Sequence, residues 1–280
     1  MKSLEQAVSI AQELRPVTPY MIRRLILEES KRANVGHIGS ALSVSDIIAA
    51  LFNGRIRALG TGLPNRDRFV LSKGHAALAL YAALYLRGLI TRDQLANYCG
   101  NGGFCGVHPE HTLPGVDFST GSLGHGPAFG AGVALAQKMS GQDGRAYVLV
   151  SDAECNEGSL WETVMFAAQR KLSNLTLIVD YNGQQALGKT KDVIDLDPFG
   201  PKWKAFGWNV QETDGHSVEA LSLALDAAEA SVDKPNVIIA RTLCGKGVSF
   251  MESKVEWHYL PLSDEQYASA IAELEDSRSL

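Results

Sequence analysis

Apolar positions along the chain follow two rhythms. Near the start they recur at helical spacing, with Met21 and Leu25 sharing a face with Ile22 and Ile26. Thr18 offers a cap and Pro19 a first-turn proline, so a helix is predicted from there to near Gly36. Residues 45–52 read as a second short helix and residues 68–71 as a short strand. Residues 76–86 are apolar all round, which predicts a helix buried in the core or in a subunit interface. That stretch is too short to span a bilayer. Residues 100–126 are dense in glycine and proline and should be mostly loop. A loop that long inside a compact domain is typically functional or ligand-covered.

Beyond Gly126 the pattern becomes regular. Helices are predicted over 131–139, 160–170 and 218–230, with short buried strands at 147–150, 175–179 and 237–240. Short β-branched runs alternating with helices signal a doubly wound α/β fold, a mostly parallel sheet with helices on both faces. Ser263 and Gln266 have capping-box spacing, and Tyr267, Ile271 and Leu274 share a face behind them. A helical tail over about 263–275 is therefore expected to end a single domain that takes up 1–280.

Composition narrows the function. With 45% hydrophobic and 20% charged residues the chain can bury a sizeable core. The net charge of −5 and the lack of a Lys/Arg block argue against nucleic acid or an anionic membrane as partner. Residues 1–14 carry Glu5 and Glu13 and lack the apolar centre of a signal peptide. Four cysteines, Cys99, Cys105, Cys155 and Cys244, do not make a disulfide scaffold in a chain this long, so the cytoplasm is the expected compartment.

The most informative segment runs Ser151-Asp152-Ala153-Glu154-Cys155-Asn156-Glu157-Gly158 and continues at Asp180-Tyr181-Asn182-Gly183-Gln184. Asp152 and Asn182 each stand just past the carboxyl end of a predicted strand. The helix between them has the length that makes those strands parallel neighbours. Open α/β sheets bind ligands outside such strand ends. One carboxylate and one amide oxygen suit a Mg2+ ion whose other positions are filled by phosphate oxygens and water. Gly158 and Gly183 would let backbone come close to such a ligand. Taken alone, the two residues read more readily as a helix cap and a turn residue.

This stretch resembles the thiamine diphosphate motif, which opens Gly-Asp-Gly and closes on Asn about thirty residues later. The resemblance implies metal ligation of Mg2+ (or Ca2+) by Asp152, Asn182 and the carbonyl of Gln184. Ser151 and Ala153 replace the motif's glycines; a methyl at 153 is acceptable only at negative φ. Gly36-His37-Ile38-Gly39-Ser40 resembles the first transketolase signature, and Asp67-Arg68-Phe69-Val70-Leu71-Ser72-Lys73-Gly74-His75 the second. Val107-His108-Pro109-Glu110 and Thr120-Gly121-Ser122-Leu123-Gly124-His125-Gly126 resemble the third, and Val255-Glu256-Trp257-His258 a late histidine site. These run in the family's order along nearly the whole chain, which favours the transketolases over the pyruvate dehydrogenase type.

The resemblance implies that His37, His75, His108 and His258 line a substrate channel, moving protons and stabilising an alkoxide. It implies contacts to thiamine diphosphate from His75, Gly121, Ser122, Leu123, Asp152, Ala153, Glu154, Asn182, Lys246 and His258. Glu157 would reach toward a partner's glutamate, and acidity in a first helical turn is an equally ordinary role for it. His125 stands where the family commonly has Gln, His216 belongs to a turn before a helix, and His111 has no assigned role. A zinc site from Cys99, Cys105, His108 and His111 has the wrong Cys spacing.

In transketolases the glutamate that works on the pyrimidine ring lies in a carboxyl-terminal domain, where most residues gripping a substrate phosphate also lie. The family pattern would continue past Leu280. The expectation is a split transketolase, an α2β2 assembly in which this chain meets a second polypeptide carrying the pyrimidine-binding domain, acting on sugars. The corresponding half of a deoxyxylulose-phosphate synthase-like or 2-oxoacid dehydrogenase-like enzyme, or a non-catalytic scaffold subunit, remains the alternative.

Overall fold

The structure, a computed structural model, describes residues 15–278. The signal-peptide reading of residues 1–14 lies outside them. Thr18 caps the first long helix, α1 (Pro19–Ala33), its hydroxyl accepting the Met21 N–H at 3.2 Å. The helix ends on Asn34, left-handed at φ 54, slightly before the expected Gly36. Ile22, Ile26 and Leu27 face inward and are fully buried. The all-apolar segment forms α2 (Ala77–Leu86), and every residue of it except Tyr85 is buried. It therefore sits in the core of this chain, with α1 packed across it.

Five strands form one parallel sheet: β1 (Arg68–Leu71), β2 (Ala146–Ser151), β3 (Leu175–Tyr181), β6 (Asn209–Asp214) and β7 (Asn236–Arg241). Their order is β1-β2-β3-β7-β6. A small antiparallel hairpin, β4 (Gln184–Gln185) and β5 (Gly188–Lys189), springs from the carboxyl end of β3. Tyr147, Leu149, Ile178, Ile238 and Ala240 point into one core; Val148, Val150, Leu177, Val179, Val237 and Ile239 point into another. Both faces are covered, which is why these strands read as unbroken apolar runs rather than alternation.

The first core is closed by α1, α2 and α5 (Val218–Glu229), and the second by α3 (His125–Met139) and α4 (Gly158–Gln169). The α3 helix starts well before the expected 131. A Cβ on Gly126 would stand 2.3 Å from the Ser72 hydroxyl, so the glycine lets the helix begin against the end of β1. Packing there outweighs the poor helix propensity of Gly126 and Pro127. Neither helix nor strand occurs between Asn97 and Gly124. The capping box at Ser263 and Gln266 forms as expected, and α6 (Asp264–Arg278) follows it. No helix among the described residues is long and apolar enough to cross a membrane.

Candidate active site

The carboxyl ends of four parallel strands converge on one cavity of ≈ 330 Å³. After β1 come Ser72, Lys73 and His75; after β2, Asp152 to Asn156; after β3, Asn182; after β7, Thr242 and Cys244. Parallel strands arranged this way point their ends, and the turns that follow, into a common crevice. His37, Lys73, His75, Gly121, Asn182 and His258 are among the residues that line it.

Its floor is a buried charge network centred on Asp180. The Asp180 carboxylate is fully buried and forms an ion pair with the equally buried Lys73. It also accepts hydrogen bonds from Ser43 Oγ at 2.6 Å, from Asn182 Nδ2 at 2.8 Å and from the Thr242 hydroxyl. A buried ion pair is tolerable when its remaining lone pairs are met in this way. Asp152 is the second carboxylate of the floor. Its Oδ2 accepts from the Gly183 N–H and the Thr190 hydroxyl, both at 2.9 Å, and its Oδ1 from the Ala153 N–H at 2.9 Å. Burial, and next the charge of Asp180, push the Asp152 carboxyl up to about 6.

Above the floor three imidazoles meet. Ring centroids are 5.7 Å apart for His37 and His75, 5.4 Å for His37 and His258, and 5.3 Å for His75 and His258. Burial first, and the neighbouring positive groups second, lower all three titrations, that of His258 to about 4. At neutral pH they are uncharged, able to accept a proton at one nitrogen and donate an N–H from the other. His37 caps the short helix Ile38–Ser43 from a left-handed conformation, φ 62, and its Nδ1 is buried without a hydrogen-bond partner. Backbone strain and an unmatched polar atom coincide on one residue, and such features gather at ligand-binding positions.

The remaining sequence-derived candidates fall in three places. Gly121, Leu123, Ala153, Glu157 and Gln184 line the cavity. Ala153 has no positive φ, so its methyl is accommodated without backbone strain. Asp152 and Glu154 are buried beneath the lining. Glu154 accepts from Ser72 Oγ and from the Gly124 N–H at 2.7 Å, tying the start of α3 to the sheet, and its carboxyl is raised by burial. Ser122, His108 and Lys246 stand off the lining: Ser122 and His108 are exposed, and Lys246 lies 3.5 Å from Glu252. The His108 ring approaches Gly121, where a Cβ would meet it at 3.4 Å.

The other histidines stand apart from this cavity. His125 is exposed, and His111 Nδ1 lies 3.0 Å from Ser119 Oγ. His216 bonds Asp46 at 2.8 Å and accepts the Leu243 N–H at 2.8 Å. Among the described residues no group of three or more His, Cys, Asp or Glu is arranged to hold a metal ion, the Cys99–Cys105–His108–His111 set included. Sequence reasoning gave no role to Lys73, Asp180, Ser43 or Thr242. Lys73 lies two residues before His75 inside the second signature, and Asp180 two before Asn182. A charged residue ending an apolar strand run was the signal available for both.

Residues 18–275 match the family described as the transketolase, thiamine diphosphate binding domain. The chain is 40% identical over 258 residues to the 6-deoxy-6-sulfo-D-fructose transketolase subunit SqwG of a Clostridium species, covering 91% of this chain and 94% of that one. It is 38% identical to an apulose-4-phosphate transketolase subunit of Phocaeicola vulgatus, covering 91% of each. The transketolase of Campylobacter jejuni superposes with a TM-score of 0.86 at 30% identity, over 93% of this chain and 42% of that one. The chain thus spans nearly all of its subunit relatives but about two-fifths of the solved transketolases. A thiamine diphosphate-binding domain with a parallel sheet and a histidine-lined cavity at its strand ends, the chain belongs to the transketolase family.

Proposed function

We propose that this chain is the diphosphate-binding subunit of a split transketolase, transferring a two-carbon ketol unit from a ketose to an aldose with a partner polypeptide that carries the pyrimidine-binding domain. The observation that carries this reading is the meeting of three imidazoles over the strand ends. Support for the partner comes from the two relatives above, both named as transketolase subunits and both matched along at least 91% of their length. An α2β2 assembly is proposed. A cytoplasmic setting is proposed too, in keeping with four free cysteine thiols.

The residues present fit Mg2+. Three buried carboxylates, Asp152, Glu154 and Asp180, lie around one ammonium, Lys73, so the floor has negative charge to spare. Asp152, Asn182 and the carbonyl of Gln184 would hold the ion, an all-oxygen donor set of the kind Mg2+ takes alongside phosphate oxygens. Backbone at Gly121, Ser122, Leu123 and Ala153, with Glu154 fixing the start of α3, would receive the diphosphate, and Lys246 is assigned to it on the family resemblance alone. When bound, thiamine diphosphate supplies a nucleophilic carbon for the ketose carbonyl.

The histidines do the proton work. An uncharged imidazole accepts the donor hydroxyl proton as the carbon–carbon bond breaks and returns it to the acceptor oxygen. The N–H of a neighbouring ring stabilises alkoxide as it develops, and works best where water is excluded. His37, His75 and His258 are assigned these roles, with His108 at the outer edge. Glu157, exposed at the cavity rim, is assigned contact with the partner.

The test mixes the purified chain with its carboxyl-terminal counterpart, Mg2+ and thiamine diphosphate, and follows two-carbon transfer across a panel of ketoses and aldoses. Activity in the mixture alone is the expected result. Full activity from this chain by itself would overturn the split reading, and transfer from 2-oxoacids instead of ketoses would overturn the transketolase reading.

A further inference from the structure

His258 has little secondary structure to hold it. It ends a single 3-10 turn, Val255–His258, in a stretch that is otherwise turn and loop. Trp257 anchors the inward side of that turn: it is 4% exposed, and its indole N–H donates to the Phe250 carbonyl at 3.1 Å. Among the described residues, Tyr259 is what holds the outward side.

Tyr259 touches three parts of the cavity at once. Its ring meets the His258 ring edge-on, centroids 5.1 Å apart at 63°. Its hydroxyl donates to the Ala186 carbonyl at 2.9 Å, at the tip of the β4–β5 hairpin on the opposite rim. Its own carbonyl presses on Gly36, where a Cβ would come within 2.2 Å, directly beside His37. The hairpin needs such a tie. Its strands are two residues each, and Leu187 at its tip is 81% exposed. Among the described residues the Tyr259–Ala186 bond is the one hydrogen bond that joins the two rims. The hairpin also brings Gln185 to the cavity, with its side-chain Nε2 buried and lacking a hydrogen-bond partner.

We propose that Tyr259 is a positioning residue: by fastening the His258 turn to the hairpin tip it fixes His258 in the cavity. A phenol suits the task, because its ring packs on the imidazole while its tip reaches a backbone carbonyl. The inference rests on the transketolase reading for its catalytic consequence, and on geometry alone for the tie itself.

The experiment uses Tyr259→Phe, which keeps the ring and removes only the hydroxyl. In the full chain without partner, hydrogen exchange is followed at the amides of 184–189. A net hydrogen bond is worth about 1 kcal/mol, so exchange at the hairpin is expected to quicken about fivefold, with distant amides unchanged. In the mixture with the partner, kcat is expected to fall about fivefold, while thiamine diphosphate affinity stays within about twofold. His258→Ala combined with Tyr259→Phe should be no slower than His258→Ala alone, since a residue acting through His258 has nothing left to position. Unchanged exchange at the hairpin would overturn the tie. Multiplying losses in the double variant, or full kcat in Tyr259→Phe, would overturn the positioning role. A mixture in which even the wild-type chain transfers nothing would count against the functional reading, and hydrogen exchange would still decide the tie.

Discussion

Lys73→Met tests the charge network under the cavity. Lys73 and Asp180 are both fully buried, and removal of the ammonium leaves Asp180 facing Asp152 with only neutral donors, Ser43, Asn182 and Thr242, around it. Breaking one side of a buried pair costs about 3–5 kcal/mol, because the partner charge stays in a low-dielectric site. The second carboxylate next door puts the expected cost toward the upper part of that range. A domain has about 5–15 kcal/mol in total, so the variant should be folded but much weakened. At about 2–4 °C per kcal/mol, a cost of about 4–5 kcal/mol should lower its melting temperature by roughly 8–20 °C. The assay is thermal and urea unfolding of the chain free of ligand, for Lys73→Met, Asp180→Asn and the double variant. Removing both charges leaves neither unpaired, so the double variant should be more stable than either single one. A loss under about 1 kcal/mol in Lys73→Met, or simple addition in the double variant, would refute the buried-pair reasoning.

Asp152→Ala is expected to weaken Mg2+-dependent binding of thiamine diphosphate at least about 100-fold by calorimetric titration, whereas His258→Ala should bind normally and turn over slowly in the mixture. Normal binding by Asp152→Ala would remove it from the metal site. The titration of His258 is lowered from 6.5 to about 4, so between those values the unfolded chain takes up a proton that the folded chain refuses. That contribution makes stability drop as pH falls through the window from 6.5 to 4. Asp152, raised to about 6, acts with the opposite sign over its own window. The comparison is therefore between wild type and His258→Asn: the gap between urea midpoints at pH 7 and pH 5 should narrow in the variant, with His37 and His75 keeping part of it. An equal drop in both chains would mean that His258 is not held uncharged.

How far the sequence reached follows from where each interaction lies. The central strands were legible because both of their faces are buried, which leaves an unbroken apolar run at β2, β3 and β7. The edge strand β6, Asn-Val-Gln-Glu-Thr-Asp, was not: its residues are half-buried or exposed, and it pairs on one side only, with β7. Periodicity has nothing to register there. Phe199 and Trp203 likewise form a buried face on a short helix whose seven residues span barely two turns. In the site, the placement of Asp152 and Asn182 was legible because each directly follows a strand. Lys73 and Asp180 were not, because their partnership spans 107 positions and exists only once β1 and β3 flank β2. The convergence of His37, His75 and His258 was reached through the family resemblance and not through spacing, for they begin on three separate segments and meet through the sheet. A one-dimensional reading can name groups that act alone or with near neighbours. Which charges cancel and which tyrosine ties the cavity's rims are properties of strand order, and strand order is decided by burial of the whole sheet.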